Sequence, residues 1–140
     1  MPRQYILSIR PQWMRLILDG KKVVEVRLSR PKGQQDALIW LYETKACEGR
    51  GRIVGWARLA SIREWNVYCH PAKAAACARL SCMTVEQLEA YQRGHKRLCF
   101  WELENVHMLT EAAAPSLKQL GVVCPPQSWR SVKEGCEIWP

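Results

Sequence analysis

The sequence predicts an α+β fold, an antiparallel sheet or small β-barrel with short helices at its ends, occupying residues 1–140 as a single domain. Three observations carry that reading. Strand-like and helix-like runs follow in the order strand, helix, strands, helices, strand and irregular tail, without the regular alternation that builds a parallel doubly wound sheet. The 140 residues are close to the roughly 150 of one compact domain. Hydrophobic residues make up 48% and charged residues 24%, a globular balance well away from the composition of disordered chains.

The first strand is predicted near 4–9, where apolar and polar residues alternate. Pro11 then suits the first turn of a helix over 11–19, with Trp13, Leu16 and Ile17 repeating on one side and Gly20 at its exit. A β-branched run predicts a strand near 22–28, placing Val24, Val26 and Leu28 on one face and Val23, Glu25 and Arg27 on the other. A basic Pro/Gly/polar loop over 28–36 follows, and the apolar run at 37–43 reads as a buried strand.

The polar stretch 45–52 reads as a hairpin-type connection into a strand near 53–62, where Gly55 marks a bulge. Pro71 opens an Ala-rich helix reaching Leu80, and Thr84 with Gln87 forms a capping box for a second helix bearing Leu88 and Tyr91 and ending at Gly94. A last strand is predicted near 97–109, with Cys99, Trp101 and Leu103 on one face. The remainder reads as loop around Pro115, Pro125 and Pro126. Trp40, Trp56 and Trp101 fall inside strands and read as core residues, whereas Trp13, Trp65, Trp129 and Trp139 fall in helix or loop settings open to base stacking.

Charge is distributed unevenly along the chain. Residues 1–63 hold thirteen Lys or Arg against five Asp or Glu, and residues 64–140 hold eight of each, so the net charge of +8 belongs to the first half. A one-sided basic field with a pI near 9.3 suits a phosphate-binding surface, and it equally describes a solvated basic face. The seven cysteines, at 47, 69, 77, 82, 99, 124 and 136, include no C-x-x-C pair and no usual zinc spacing. They read as free thiols in a reducing compartment, which predicts a cytoplasmic protein without a metal. The opening residues lead into a strand pattern instead of an apolar leader, and no apolar run approaches the length of a membrane span, so a soluble protein with no membrane partner is expected.

The segment from Gly20 to Arg27 carries Gly20, Lys22, Glu25 and Arg27 in the spacing G-x-K-x-x-E-x-R. With this pattern placed between helix and strand, with Leu7 to Pro11 before it, Ile53 to Gly55 as a central strand, and an ending from Glu89 to Trp129, the chain resembles the ASCH domains of the PUA-like superfamily. The resemblance covers nearly the whole chain. It implies a PUA-like small β-barrel with a cleft beside the signature strand and a role in handling RNA or modified nucleosides, with single-stranded DNA as a related partner and no cofactor.

Read residue by residue, Lys22 offers a cation at the mouth of the strand. Arg27 can fork onto a phosphate or base edge while Glu25 orients it, or the pair can close one end of the barrel as a structural ion pair. The nucleic-acid contacts expected are Lys21, Lys22, Glu25, Arg27, Arg30, Lys32 and Arg10.

Three activities follow. The first is RNA binding through the basic cleft. The second is hydrolysis resembling that of the family's 4-acetylcytidine amidohydrolases, which pair the signature lysine with a threonine and a glutamate. Their threonine position holds Glu25 here and their glutamate falls near Ser81, so only Lys22 carries over. The third is metal-independent RNA cleavage, for which Lys22, Glu25 and His70 are the acid–base candidates. If the chain is an enzyme, Lys22 and Glu25 are its expected catalytic residues. A carboxylate beside Lys22 is expected to raise the lysine pKa unless Arg27 draws Glu25 away.

Overall fold

The computed structural model describes residues 2–32 and 36–140, so the basic loop expected at 28–36 lies partly outside the described residues. The elements in chain order are β1 (Gln4–Ile9), α1 (Pro11–Leu18), β2 (Val24–Arg27), β3 (Leu38–Glu43), β4 (Arg52–Trp65), α2 (Pro71–Ser81), α3 (Val85–Gln92), β5 (Leu98–Met108) and β6 (Trp129–Ser131). The strands form one sheet in the order β2-β5-β4-β3-β1-β6. It curls into a half-barrel whose edge strand β2 approaches the far end of the sheet, since Arg27 of β2 reaches the Ser8 carbonyl of β1 and Ser128 just ahead of β6.

The sheet is mixed where an antiparallel one was favoured. β1 and β3 run parallel, Ile6 opposite Trp40, while the other pairs are antiparallel. Parallel neighbours need a long crossover connection, and residues 10–37, with α1 and β2, supply it. β2 is also shorter than expected. Lys22 and Val23 precede it because their amides turn back to the Leu16 and Leu80 carbonyls.

Three apolar clusters organise the sheet. Alternate residues of β1, β3, β4 and β5, among them Tyr5, Leu7, Ile39, Leu59 and Trp101, fill the concave side, and Met14 and Ile17 of α1 close one end. On the convex side, the tail packs Leu120, Val122 and Val132 over Ile6, Trp40 and Ile53. Buried Gln4 fastens this tail, accepting from Trp40 Nε1 at 2.9 Å and donating to the Ile138 carbonyl at 2.8 Å. Beyond it, α2 and α3 cover Val24, Val26 and Phe100 with Ala74, Ala78 and Leu88. α3 starts at the capping box, with Gln87 N–H donating to Thr84 Oγ1 at 3.0 Å and Thr84 N–H to Gln87 Oε1 at 2.9 Å.

The bulge falls beside the expected glycine. Leu41 opposes Gly55 while Tyr42 opposes Ile53, leaving Val54 as the extra residue. A Cβ on Gly55 would stand 2.5 Å from the His107 carbonyl oxygen of β5. Gly55→Ala must therefore push β5 away, and a thermal melt is expected to show a loss of about 1–3 kcal/mol, the usual range for overpacking.

Candidate functional site

The signature residues meet at the seam where β2 faces β1 and β6. Gly20 makes the approach: at φ +77° it ends α1 in a left-handed turn, with Lys21 N–H donating to the Leu16 carbonyl at 2.9 Å and Gly20 N–H to Ile17 at 3.0 Å. This paired closure of a helix end favours glycine for its positive φ. It turns the chain so that Lys22 enters the protein.

Lys22 is 1% exposed. Its Nζ donates to the Ser81 carbonyl at 2.6 Å and stands 3.3 Å from Glu25 Oε1, with the Trp13 ring centroid at 4.8 Å. Ser81 is the last residue of α2, so its carbonyl is one of the unpaired acceptors at the negative end of that helix, where a cation is favoured. The Trp13 face adds a cation–π contact.

Glu25 and Arg27 share the concave face of β2, opposite Trp101 and Cys99 of β5. Glu25 Oε2 accepts from Arg27 Nη2 at 2.6 Å. The same nitrogen donates to the Ser8 carbonyl at 2.5 Å, and Nη1 donates to Ser128 Oγ at 3.3 Å. Trp129 crosses the seam beside it, with its Nε1 donating to Ser29 Oγ at 2.9 Å. Its ring lies 5.7 Å from Tyr5 and 5.9 Å from Trp101, centroid to centroid.

Several polar atoms here have no partner among the described residues. Arg27 Nε and Trp101 Nε1 are buried donors without an acceptor. The Tyr5 hydroxyl, whose neighbouring charge is the Arg3 guanidinium, also lacks a partner in hydrogen-bonding geometry. All three residues pack around Ser128 and Trp129. An unmatched buried polar group costs about 1–3 kcal/mol, so their gathering at one seam is more than a stable core requires.

The electrostatics differ from the simplest expectation. Burial holds the Lys22 pKa below its ordinary value, outweighing the opposite pull of Glu25. Glu25 divides its carboxylate between Lys22 and Arg27, and Arg27 itself disfavours a second charge nearby. Tyr91 of α3 senses the same network: burial raises its hydroxyl, with Arg27 opposing and Glu25 assisting. Cys99, opposite Arg27, is pushed up to about 11 by burial and by donating to Glu64, and it stays a thiol near neutrality.

Of the residues expected from sequence, Lys22, Glu25 and Arg27 are brought together. Lys21, Lys32 and Arg10 are exposed, with no carboxylate within 4 Å of them among the described residues. Arg30 is tied down instead, donating to the Pro31 and Ile62 carbonyls at 3.1 and 3.2 Å near Glu64. His70 sets its ring edge-on to Trp65 and His107 stacks on Trp56; neither touches the Lys22 network. Sequence reasoning gave no seam role to Ser8, Ser29, Ser128 and Tyr91. The Leu7–Pro11 opening, which holds Ser8, and the ending that reaches Trp129, which holds Ser128, were the signals for part of this set.

The family model described as ASCH domain matches residues 7–113, most of the chain. This chain belongs to the ASCH domain family. Among curated proteins, an ASCH domain-containing ribonuclease from Zymomonas mobilis is 31% identical over 65 residues, a stretch covering 46% of this chain and 42% of that protein. The aligned part is thus under half of the relative's length. The crystal structure of ASCH from Zymomonas mobilis covers 96% of this chain and 90% of its own at 22% identity and a TM-score of 0.72. Two variants of that protein score 0.73. This likeness establishes an ASCH-type fold, an α+β small barrel. In this ASCH domain the signature lysine is an interior group, bracketed by a helix end and a carboxylate. No helix among its described residues is long and apolar enough to cross a membrane.

Proposed function

We propose that this ASCH domain binds RNA at the seam between β2 and β6. The observation that carries the reading is the set of buried donors unpartnered among the described residues, Arg27 Nε and Trp101 Nε1, grouped around the half-buried Trp129. A single-stranded RNA that opens the seam at the half-buried Trp129 supplies what that set lacks: acceptors on base edges and phosphates, and flat bases to stack on an aromatic ring. Exposed Lys21, Lys32 and Arg10 meet the backbone, while Glu25 holds the Arg27 guanidinium in place. Lys22 contributes by fixing Glu25.

A second reading is metal-independent RNA cleavage. It is favoured by the depressed pKa of Lys22, which enlarges the neutral fraction that can accept a proton, and by the ribonuclease among the relatives. The amidohydrolase reading draws no such support. Glu25, where threonine would stand, is bound to Arg27, and the Ser81 carbonyl is taken by Lys22.

Fluorescence anisotropy with a labelled single-stranded RNA at two salt concentrations tests binding. Affinity is expected to fall steeply with salt, and Lys21→Ala with Lys32→Ala is expected to flatten the salt slope by up to about two phosphate contacts. Unchanged affinity and slope in that folded double variant would leave the basic half a solvated face. The same RNA, incubated with chelator and resolved by length, separates binding from cleavage. Products that vanish with Lys22→Ala would establish the second reading.

A further inference from the structure

A second concave site lies on the convex side of β5, away from the seam. Residues of β5 alternate, so Cys99 and Trp101 face the concave core while Phe100 and Glu102 face outward. Ser61, Arg63 and Trp65 of β4 pair with Glu102, Phe100 and Leu98 and share the outward face. Above them, α2 presents Lys73, Ala76, Cys77 and Leu80, the 0, 3, 4, 7 pattern of one helix side. The cleft between them, open to solvent, measures about 210 Å³.

Its lining has three chemistries. The wall is apolar and aromatic: Trp65 stacks on Phe100 with centroids 4.3 Å apart and planes 15° apart, next to Val24 and Leu80. The mouth is cationic. Arg63 and Lys73 are exposed and have no carboxylate within 4 Å among the described residues. Burial raises the Cys77 thiol pKa, and the Arg63 and Lys73 charges beside it oppose that rise. One acceptor stands within, Glu102, whose Oε2 is held by Ser61 Oγ at 3.1 Å.

We propose that this cavity binds a nucleoside monophosphate, either free or as one unit of an RNA strand. The base lies against the Trp65 and Phe100 wall, and the phosphate sits between Arg63 and Lys73. Glu102 accepts from an N–H on the base edge. An acyl chain is disfavoured because a cavity of this size is short and carries a carboxylate. A bare anion would leave the aromatic wall unused. Uracil presents its edge N–H only between two carbonyls, which repel the Glu102 carboxylate, so adenine, cytosine and guanine nucleotides, which offer an amine, are preferred. Only the RNA arm rests on the seam reading; the free-nucleotide arm is independent of it.

The test is protection of Cys77 from iodoacetamide in the intact protein, followed by peptide mass spectrometry with exposed Cys47 as internal control. Millimolar adenosine monophosphate is expected to slow Cys77 alkylation several-fold and leave Cys47 unchanged, with uridine monophosphate weaker. The combined Arg63→Ala and Lys73→Ala variant, both changes being on the surface, is expected to fold and to lose the protection. Inorganic phosphate alone separates base recognition from a simple charge effect on the thiol. Equal protection by phosphate, no protection by adenosine monophosphate, or protection that survives in the double variant would each overturn the proposal. A short RNA that protects Cys77 better than the mononucleotide would assign the site to the strand, and one that protects less would assign it to the free nucleotide. Trp129→Phe separates the two sites: protection by the mononucleotide should persist in it whether or not RNA binding at the seam is lost.

Discussion

Glu25→Ala is expected to destabilise the protein by about 3–5 kcal/mol at neutral pH, because it leaves two cations in a buried site with their shared carboxylate gone. Lys22 keeps the Ser81 carbonyl and Arg27 keeps Ser8 and Ser128, so the loss is the uncompensated charge and not every contact. The pH dependence has a definite sign. The Lys22 pKa in the folded protein lies below its ordinary 10.5, so between that lowered value and 10.5 the unfolded chain binds more protons. Stability from this group therefore rises with pH across that window. Removing Glu25 removes the main influence that raises the Lys22 pKa, which widens the window. The gap between wild type and Glu25→Ala should narrow as pH rises from 7 towards 10. Tyr5, Tyr42, Cys77 and Cys99, whose groups burial shifts upward, pull stability the other way but do so in both proteins and cancel in the difference. Tyr91, raised by burial and in part by Glu25, pulls less in the variant and narrows the gap in the same direction. Urea titrations at pH 7 and 9.5 measure it, with Lys22→Met as the control that should flatten the pH-dependent difference. A gap that stayed flat with pH would mean that Lys22 is charged in the folded state throughout.

Much of this was legible in the sequence because it is local. The period-two pattern of 22–28 placed Glu25 and Arg27 on one face, and the structure puts that face on the concave side with Trp101. The Gly20 exit and the Thr84 capping box are short-range hydrogen-bond patterns written in neighbouring residues. The burial of Lys22 was not legible, since its partner is the end of a helix 59 residues later in the chain. Nor was β6. Three residues are too few for an alternation, and only pairing with β1 makes Trp129–Ser131 a strand. Arg30 looked like part of the basic segment, yet the carbonyl of Ile62 and the carboxylate of Glu64 lie within its reach. Residue type gave the charge of such groups, and long-range packing decided which of them remain available to a ligand.

Trp129→Ala is expected to cost about 2–4 kcal/mol, somewhat below the usual range for a fully buried tryptophan because this side chain is only half-buried. The ring packs on Tyr5 and Trp101 and its Nε1 bonds to Ser29 across the seam, so the variant removes core packing and one tie between β6 and the residues after β2. Trp129→Phe separates the two contributions. It keeps an aromatic ring, though a smaller one, against Tyr5 and Trp101 and loses the Ser29 hydrogen bond, for which about 1–2 kcal/mol in all is expected. That milder variant also bears on function. With the fold intact at 25 °C by circular dichroism, a seam that receives RNA should bind it several-fold more weakly, because phenylalanine offers a smaller stacking surface and no donor. The salt slope should stay the same, since no phosphate contact has been touched. Unaltered RNA affinity in a folded Trp129→Phe protein would separate Trp129 from recognition and leave it as the bolt that holds the half-barrel closed.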